Sequence, residues 1–145
     1  MSIRKFFTVP DHTSFEDVAL LLLRLVTGIA FMIHGSSKIQ DPFNWMGPDP
    51  LAPPPFQALA ALSEFGGGLA WALGLLTPLA SLGIASTMTV ATWLHMVKRG
   101  DPFVSMTGGP AYELPAIFLI VAIVFLALGP GRFSIDRLLF GRRER

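Results

Sequence analysis

The stretch from Phe65 to Val97 contains no Asp, Glu, Lys or Arg. A helix that crosses a lipid bilayer needs about 20 mostly apolar residues. The stretch is therefore too long for one crossing and suits two crossings joined by a turn. Thr77-Pro78 lies between its two halves, and proline is favoured in the first turn of a helix. The pattern predicts two antiparallel membrane helices that meet at this dipeptide.

The composition points to the same class of protein. Hydrophobic residues make up 52% of the chain and charged residues 14%, whereas soluble domains carry about 25% charged residues. A soluble helical bundle would need polar outer faces, and the helix predicted in LASLGIASTMTVATWLHMV has no charged face. The net charge of +1 provides no basic field for nucleic acid, so no nucleic-acid partner is expected.

The hydrophobic pattern predicts an all-α fold, with residues 1–145 forming a single membrane domain. This domain is expected to be an up-down bundle of four transmembrane helices, with spans at residues 15–39, 56–76, 79–97 and 111–129. Residues 130–145 are predicted to form a basic cytoplasmic tail. The sequence RFSIDRLLFGRRER within it fits a short interfacial helix on anionic lipid, and a solvated tail that only fixes topology is the alternative.

The distribution of basic residues predicts an orientation. Four spans place both termini on one side, and that side carries most of the Arg and Lys outside the predicted helices. By the positive-inside rule, both termini are expected in the cytoplasm of a bacterial-type cytoplasmic (inner) membrane. No apolar core follows the basic pair Arg4-Lys5 at once, so a signal peptide is not expected.

Six ionisable residues lie within or beside the predicted spans: Arg24, His34, Lys38, Glu64, His95 and Glu113. Such residues are costly in a membrane, usually face the bundle interior, and pair with one another. The helix rise of about 1.5 Å per residue and the alternating directions place all but Arg24 in the outer half. Glu64 is expected to pair with Lys38 or Arg24. A structural salt bridge and a functional site both remain open for this cluster.

Three more residues are predicted to line a pocket beside the cluster. Phe31 and Gly35 fall on the helix face that carries Arg24 and Lys38, and Trp93 is the aromatic candidate on the third helix. The chain has no cysteine, which excludes disulfides, iron–sulfur clusters and cysteine-bound metals within it. No metal site is predicted, and a haem held by His34 and His95 is disfavoured because both histidines have other plausible uses.

Four pieces of the sequence, in this order, resemble the DoxX family of small four-helix membrane proteins. They are LLLRLVTGIAFMIHGSSKI, SEFGGGLAWALGLLTPLAS, TWLHMV and LALGPGRFSIDRLLFGRR. The first matches the family's Arg, Gly, Phe, His-Gly and Lys, and the second its Glu followed by a glycine-rich helix. The chain departs from the family pattern at Pro78, where a basic residue is frequent.

The resemblance implies a membrane subunit associated with a quinone-linked oxidoreductase or a respiratory electron-transfer complex. Relatives are associated with thiosulfate:quinone oxidoreductase, terminal quinol oxidases and a mycobacterial assembly for thiol and oxidative stress. A quinone is then the expected cofactor, and the expected partners are the lipid bilayer and other redox subunits. Two alternatives stay open: an accessory anchor whose charges only fix helix packing, and a small transporter. Whether the chain itself is an enzyme is not decided by the sequence.

Overall fold

The computed structural model describes residues 6–142, and within them the chain is helical. Its α-helices are α1 (Ser14–Ser36), α2 (Pro54–Leu73), α3 (Thr77–Trp93), α4 (Glu113–Leu128) and α5 (Ile135–Phe140). A 3₁₀ turn follows α1 at Lys38–Gln40, and a π-helical turn follows α3 at Leu94–Arg99. One isolated bridge pairs Val9 with Arg142. The predicted all-α class is confirmed, and residues 143–145 of the predicted tail lie outside the described range.

Local sequence explains where the first helix begins and ends. Thr13 caps α1 in a reciprocal pair: its side chain accepts from the Glu16 backbone, while Glu16 Oε2 accepts from the Thr13 N–H at 2.7 Å. This capping box satisfies amides that lack partners inside the helix. The helix ends at Ser36, three residues before the predicted end of the span, and the 3₁₀ turn then carries Lys38.

The turn between α2 and α3 lies at the expected break. Gly74 and Leu76 both adopt positive φ, at 64° and 48°, which reverses the chain within three residues. Glycine takes this conformation at little cost, whereas a leucine in it needs support from its surroundings. Thr77 then begins α3 with Pro78 in its first turn.

The four long helices share one core that is rich in aromatic rings. Phe31 of α1 packs edge-on against Trp71 of α2 and Phe118 of α4, with ring centroids 5.6 and 4.3 Å apart. Trp71 also packs against Phe125 at 4.9 Å, and its indole N–H donates to Ser81 Oγ at 2.9 Å. Helix α3 thus joins the core through a buried hydrogen bond as well as through packing.

Residues after α4 dock onto the α2–α3 turn. Asp136, fully buried, accepts hydrogen bonds from the backbone N–H groups of Leu76 and Thr77 at 2.6 and 2.8 Å. Leu138 and Leu139 are exposed on the other side of α5. These contacts favour a docked interfacial helix over a solvated tail for residues 135–140, because the Asp136 carboxylate completes the start of α3 while the leucines remain exposed.

Length and composition single out one helix as a candidate membrane span. Among the described residues, only α1 is both long and apolar enough to cross a bilayer by this measure, and α4 is apolar but has 16 residues. Helices α2 and α3 do not meet the same criterion, since α2 carries Glu64 and several glycines and α3 has 17 residues before its π-helical turn. Of the four predicted spans, this criterion therefore supports only the first among the described residues.

Candidate ligand site between the helices

An ion pair joins the first two helical segments at the end away from the termini. Lys38 Nζ lies 2.6 Å from Oε1 and 2.7 Å from Oε2 of Glu64. The Glu64 side chain is 6% exposed and that of Lys38 is 24% exposed. Of the two cations predicted as partners for Glu64, the structure selects Lys38. Both carboxylate oxygens accept from the ammonium group, which offsets part of the cost of burying the two charges.

Glycines explain why the two helices come close enough for this pair. A Cβ on Gly35 would lie 2.6 Å from the backbone nitrogen of Phe65, and one on Gly28 would lie 2.6 Å from the carbonyl oxygen of Gly68. No side chain fits at either crossing, so small residues set the spacing between α1 and α2. Gly35, predicted to line a pocket, lies at this crossing instead and, among the described residues, lines neither cavity at this end.

A buried glutamine holds the loop between α1 and α2 over the ion pair. Gln57 is 1% exposed; its Oε1 accepts from Met46 N–H at 3.1 Å, and its Nε2 donates to the Ala52 carbonyl at 2.9 Å. The backbone carbonyl of Gln57 accepts from the indole N–H of Trp45 at 2.9 Å. These bonds place the Trp45 ring 4.4 Å from Lys38 Nζ, where a cation–π contact adds to the ion pair.

His95 lies where α3 gives way to the π-helical turn. π-Helical turns are rare and frequently occur at functional sites. His95 Nδ1 lies 2.7 Å from Oδ2 of Asp101, on a loop that Gly100 reverses with a φ of 68°. A carboxylate only accepts, so this bond places the ring hydrogen on Nδ1 when the imidazole is neutral. The second ring nitrogen, Nε2, is then a hydrogen-bond acceptor.

Two cavities meet at these residues. The larger, about 760 Å³, lies between α2, α3 and the loop that carries Trp45. The smaller, about 200 Å³, is an open crevice lined by residues of α1 to α4. Both are lined by Lys38, Glu64, Ala91 and His95. The larger volume falls in the range of small-molecule pockets, which are mostly apolar with a few convergent polar groups.

The smaller cavity gathers further predicted residues. Phe31 and His34 line it together with Phe118 and Met88. His34 is exposed, whereas Phe31 is buried in the core. The first helix therefore presents one aromatic and one titratable side chain to a crevice beside the ion pair.

A family model described as DoxX matches residues 19–96, more than half of the chain. The chain belongs to the DoxX family. The resemblance found in its four sequence pieces is thus confirmed, and the protein is a DoxX-family membrane protein.

Two relatives extend the comparison over most of the DoxX chain. The "Inner membrane protein YqjF" of Escherichia coli (strain K12) is 33% identical over 130 residues, which cover 86% of this chain and 94% of the relative. The "Putative oxidoreductase CatD" of Bacillus subtilis (strain 168) is 33% identical over 135 residues, which cover 89% and 92%. No solved structure matches the chain.

Three predicted candidates of the DoxX chain lie apart from the ion pair. Arg24, 1% exposed, is about 21 Å along the chain's helical rise from Lys38, and donates to the carbonyls of Pro130 and Phe133 at 2.9 and 2.8 Å. Glu113 starts α4, where its N–H donates to the Phe103 carbonyl at 3.0 Å. Trp93 is 45% exposed and lies 5.4 Å from Lys98 Nζ. Among the described residues, none of the three lines either cavity.

Sequence reasoning missed Gln57, Trp45 and Asp101. A signal for Gln57 was present, because buried positions of α2 follow each other at spacings of four and three: Gln57, Ala61, Glu64, Gly68 and Trp71. Trp45 and Asp101 lie in loops, where no periodicity exists. Their roles depend on tertiary hydrogen bonds, which a sequence pattern does not encode.

Proposed function

We propose that this DoxX protein is a four-span subunit of a quinone-linked oxidoreductase in the bacterial inner membrane. The single observation that supports the proposal best is the 760 Å³ cavity whose wall contains Lys38, Glu64 and His95. The printed names of the two relatives agree with it in part, since one is an inner membrane protein and the other a putative oxidoreductase.

The distribution of side chains supports four spans. In a soluble protein the polar residues face outward, but here Asp17, Arg24, Gln57 and Glu64 are buried. Large apolar side chains are exposed on every long helix; examples are Val26, Ile33, Leu59, Leu62, Leu79, Val90, Ile117 and Ile120. Such exposed apolar faces are favourable when lipid surrounds the helices. The π-helical turn also continues α3 through Arg99, which lengthens it toward a full crossing.

The shape of the larger cavity supports an amphiphilic ligand. Leu59 and Ala60 of α2 and Val90 and Ala91 of α3 form an apolar part of the wall. The hydroxyl residues Ser63, Ser86 and Thr87 of the same helices also line the cavity. The polar end of the cavity lies at Lys38 and His95 beneath the loop. An isoprenoid tail would fit the apolar part, and the ring would lie at the polar end beside Trp45.

The polar residues at that end suit the ring oxygens of a quinone. A bound quinone supplies two-electron, two-proton redox chemistry. Lys38 Nζ carries three hydrogens that can be donated. Its ion pair with Glu64 holds the ammonium group at this end of the cavity. His95, oriented by Asp101, offers Nε2 for a proton. This chain has no cysteine, so an iron–sulfur cluster or a redox disulfide that exchanges electrons with the quinone would belong to a partner subunit.

The test measures quinone retained by the protein after mild detergent purification. His95→Phe keeps an aromatic ring of similar size but removes both ring nitrogens, and Glu64→Gln removes the charge that holds Lys38. We expect bound quinone, counted as quinone plus quinol, to fall about two- to tenfold per mole of folded protein in each variant, the worth of one hydrogen bond. His95→Phe removes the acceptor for a quinol O–H, and Glu64→Gln releases Lys38 from its ion pair.

Glu113→Gln is the matched control, because it makes the same change at the same end of the protein but outside both cavities. It should retain quinone as the unmodified protein does. If all three variants are folded and hold equal amounts of quinone, the proposal fails and an accessory anchor becomes the better interpretation. Liposome flux that the Glu64→Gln variant abolishes would instead favour a transporter.

A further inference from the structure

The Asp101–His95 contact does more than complete a loop. Asp101 lies six residues after His95, and its own N–H donates to the His95 carbonyl at 3.0 Å. Its side chain is 15% exposed and that of His95 is 27% exposed, so water competes only weakly for the bond. Backbone and side chain thus fix the position of Asp101 relative to the imidazole at two points.

This contact determines which ring nitrogen a ligand meets. Asp101 occupies Nδ1, and among the described residues it lines neither cavity. His95 lines both cavities, so Nε2 is the ring nitrogen available to a ligand. With the hydrogen on Nδ1, the neutral ring presents a lone pair at Nε2 and no hydrogen. Asp101 also stabilises the positive charge that forms if Nε2 takes up a proton.

We propose that Asp101 is a positioning residue that keeps Nε2 of His95 as a proton acceptor, so that the site prefers the hydroxyl-bearing quinol over the oxidised quinone. The ligand class rests on the proposed function; the tautomer does not. A quinol O–H donates to the Nε2 lone pair, whereas a quinone carbonyl has no hydrogen to donate and meets that lone pair unfavourably.

Asp49 in the wall of the larger cavity is also an acceptor, and the Asp49→Ala variant below separates its contribution from that of His95. The remaining charged groups near the site do not supply the same discrimination. Lys38 only donates, and both its oxygen contacts are to Glu64. Glu64 accepts, but Lys38 already engages both of its oxygens. Arg99 at the rim of the larger cavity is a donor only, and His34 reaches only the smaller cavity.

The first test determines the tautomer on protein in nanodiscs without added ligand. Protein labelled with ¹⁵N-histidine is studied above pH about 8, where an ordinary imidazole is neutral, and His95→Phe assigns its resonances. We expect Nδ1 to carry the hydrogen in the unmodified protein. Asp101→Ala should shift the population toward Nε2–H. Asp49→Ala, a carboxylate removed from the wall of the larger cavity, should leave the His95 tautomer unchanged.

The second test compares the affinities for the reduced and oxidised forms of one short-chain benzoquinone, measured anaerobically. The reduced form should bind about two- to tenfold more tightly, the worth of one hydrogen bond. Asp101→Ala should reverse this preference, since Nε2–H can then donate to a carbonyl. Asp49→Ala should keep it, even if both affinities change.

Three outcomes would overturn parts of the inference in distinguishable ways. Nε2–H in the unmodified protein, or an unchanged tautomer in the folded Asp101→Ala variant, removes the positioning role of Asp101. Equal binding of both forms with the Nδ1–H tautomer intact removes the preference for quinol. If neither form binds while the tautomer responds as expected, the proposed quinone function fails and the role of Asp101 in orienting His95 stands.

Discussion

The ion pair of Lys38 and Glu64 shows how a membrane protein can retain opposite charges in an apolar interior. Glu64 has both oxygens bound, and the ammonium group lies beneath the Trp45 ring. Each partner therefore meets an acceptor or donor that replaces water. Buried pairs of this kind add little net stability, but removing one partner leaves the other uncompensated.

We predict that Lys38→Met destabilises the protein by about 3 kcal/mol, because it leaves the Glu64 carboxylate buried without a cation. The double variant Lys38→Met/Glu64→Leu should recover most of this loss. The measurement is reversible unfolding in detergent, monitored by circular dichroism. Lys98→Met is the control, since this lysine lies over the half-exposed Trp93. A double variant as unstable as Lys38→Met would contradict the account.

Helix α1 and helix α2 depend on each other through positions that have no side chain. Gly28 and Gly68 meet backbone to backbone, and Gly35 meets the backbone at Phe65. Both contacts hold the two helices close together, and the Lys38–Glu64 ion pair lies next to the contact of Gly35 with Phe65. The geometry of the site is therefore a consequence of the crossing of two helices.

We predict that Gly28→Ala destabilises the protein by about 1–3 kcal/mol, the usual cost of overpacking a core. The added methyl would lie 2.6 Å from the Gly68 carbonyl oxygen, a backbone atom that cannot rotate away. Gly66→Ala is the matched control, because its methyl would meet only the Leu62 side chain at 3.3 Å. Thermal unfolding should show Gly66→Ala to be neutral or slightly stabilising, since alanine favours a helix more than glycine does.

Equal destabilisation by the two alanines would show that loss of glycine flexibility, and not the close crossing, determines the effect. A larger effect of Gly28→Ala together with loss of bound quinone would indicate that the crossing also maintains the cavity. The same comparison at Gly35 would test the second contact, where the methyl would meet the nitrogen of Phe65.

The sequence predicted the elements better than their connections. The run without charges between Phe65 and Val97 predicted α2, the break and α3, because lipid-compatible helices require long apolar segments. The pairing of Glu64 with Lys38 was accessible because so few charges are available as partners. The hydrogen bonds of Gln57 and Asp101 were not accessible, since they join residues whose relation depends on the path of a loop.

Arg24 shows the limit of depth arguments in the same way. Its position in α1 predicted that it lies low in the helix, but not that carbonyls after α4 would accept its hydrogen bonds. A sequence places a residue along its own helix; the partner comes from a different part of the fold. Arg24 was predicted to belong to the polar network with Glu64. In the structure it instead holds the segment after α4 in place through these two hydrogen bonds.

At the scale of the whole molecule, the two ends of the helices differ in kind. Both cavities lie at the end that carries Lys38, Glu64 and His95. At the opposite end, Arg24 and Asp17 of α1 form hydrogen bonds with the backbone of the segment after α4, and Asp136 of that segment accepts from the α2–α3 turn. We expect the cavity end to face the outside and the opposite end to face the cytoplasm, in accordance with the distribution of basic residues.

We predict that cysteine labelling will report this orientation. The chain has no cysteine of its own, so single substitutions can be read without background. Met106→Cys, at a side chain 92% exposed in the loop before α4, should react with a membrane-impermeant maleimide on intact spheroplasts. A cysteine appended after Arg145 should react only in inverted vesicles. Both sites reacting in the same preparation would show that α4, the one predicted span between them, does not cross the membrane.

The contact of Asp136 with the α2–α3 turn has a consequence for biosynthesis. The N–H groups of Leu76 and Thr77 find their acceptor 60 and 59 residues later in the chain. Under the proposed topology, the α2–α3 hairpin is synthesised before these two amides have their carboxylate acceptor, which follows only when residue 136 has emerged from the ribosome. A chain that stops short of this residue lacks the acceptor for both amides, so the segment after α4 is needed to complete the start of α3.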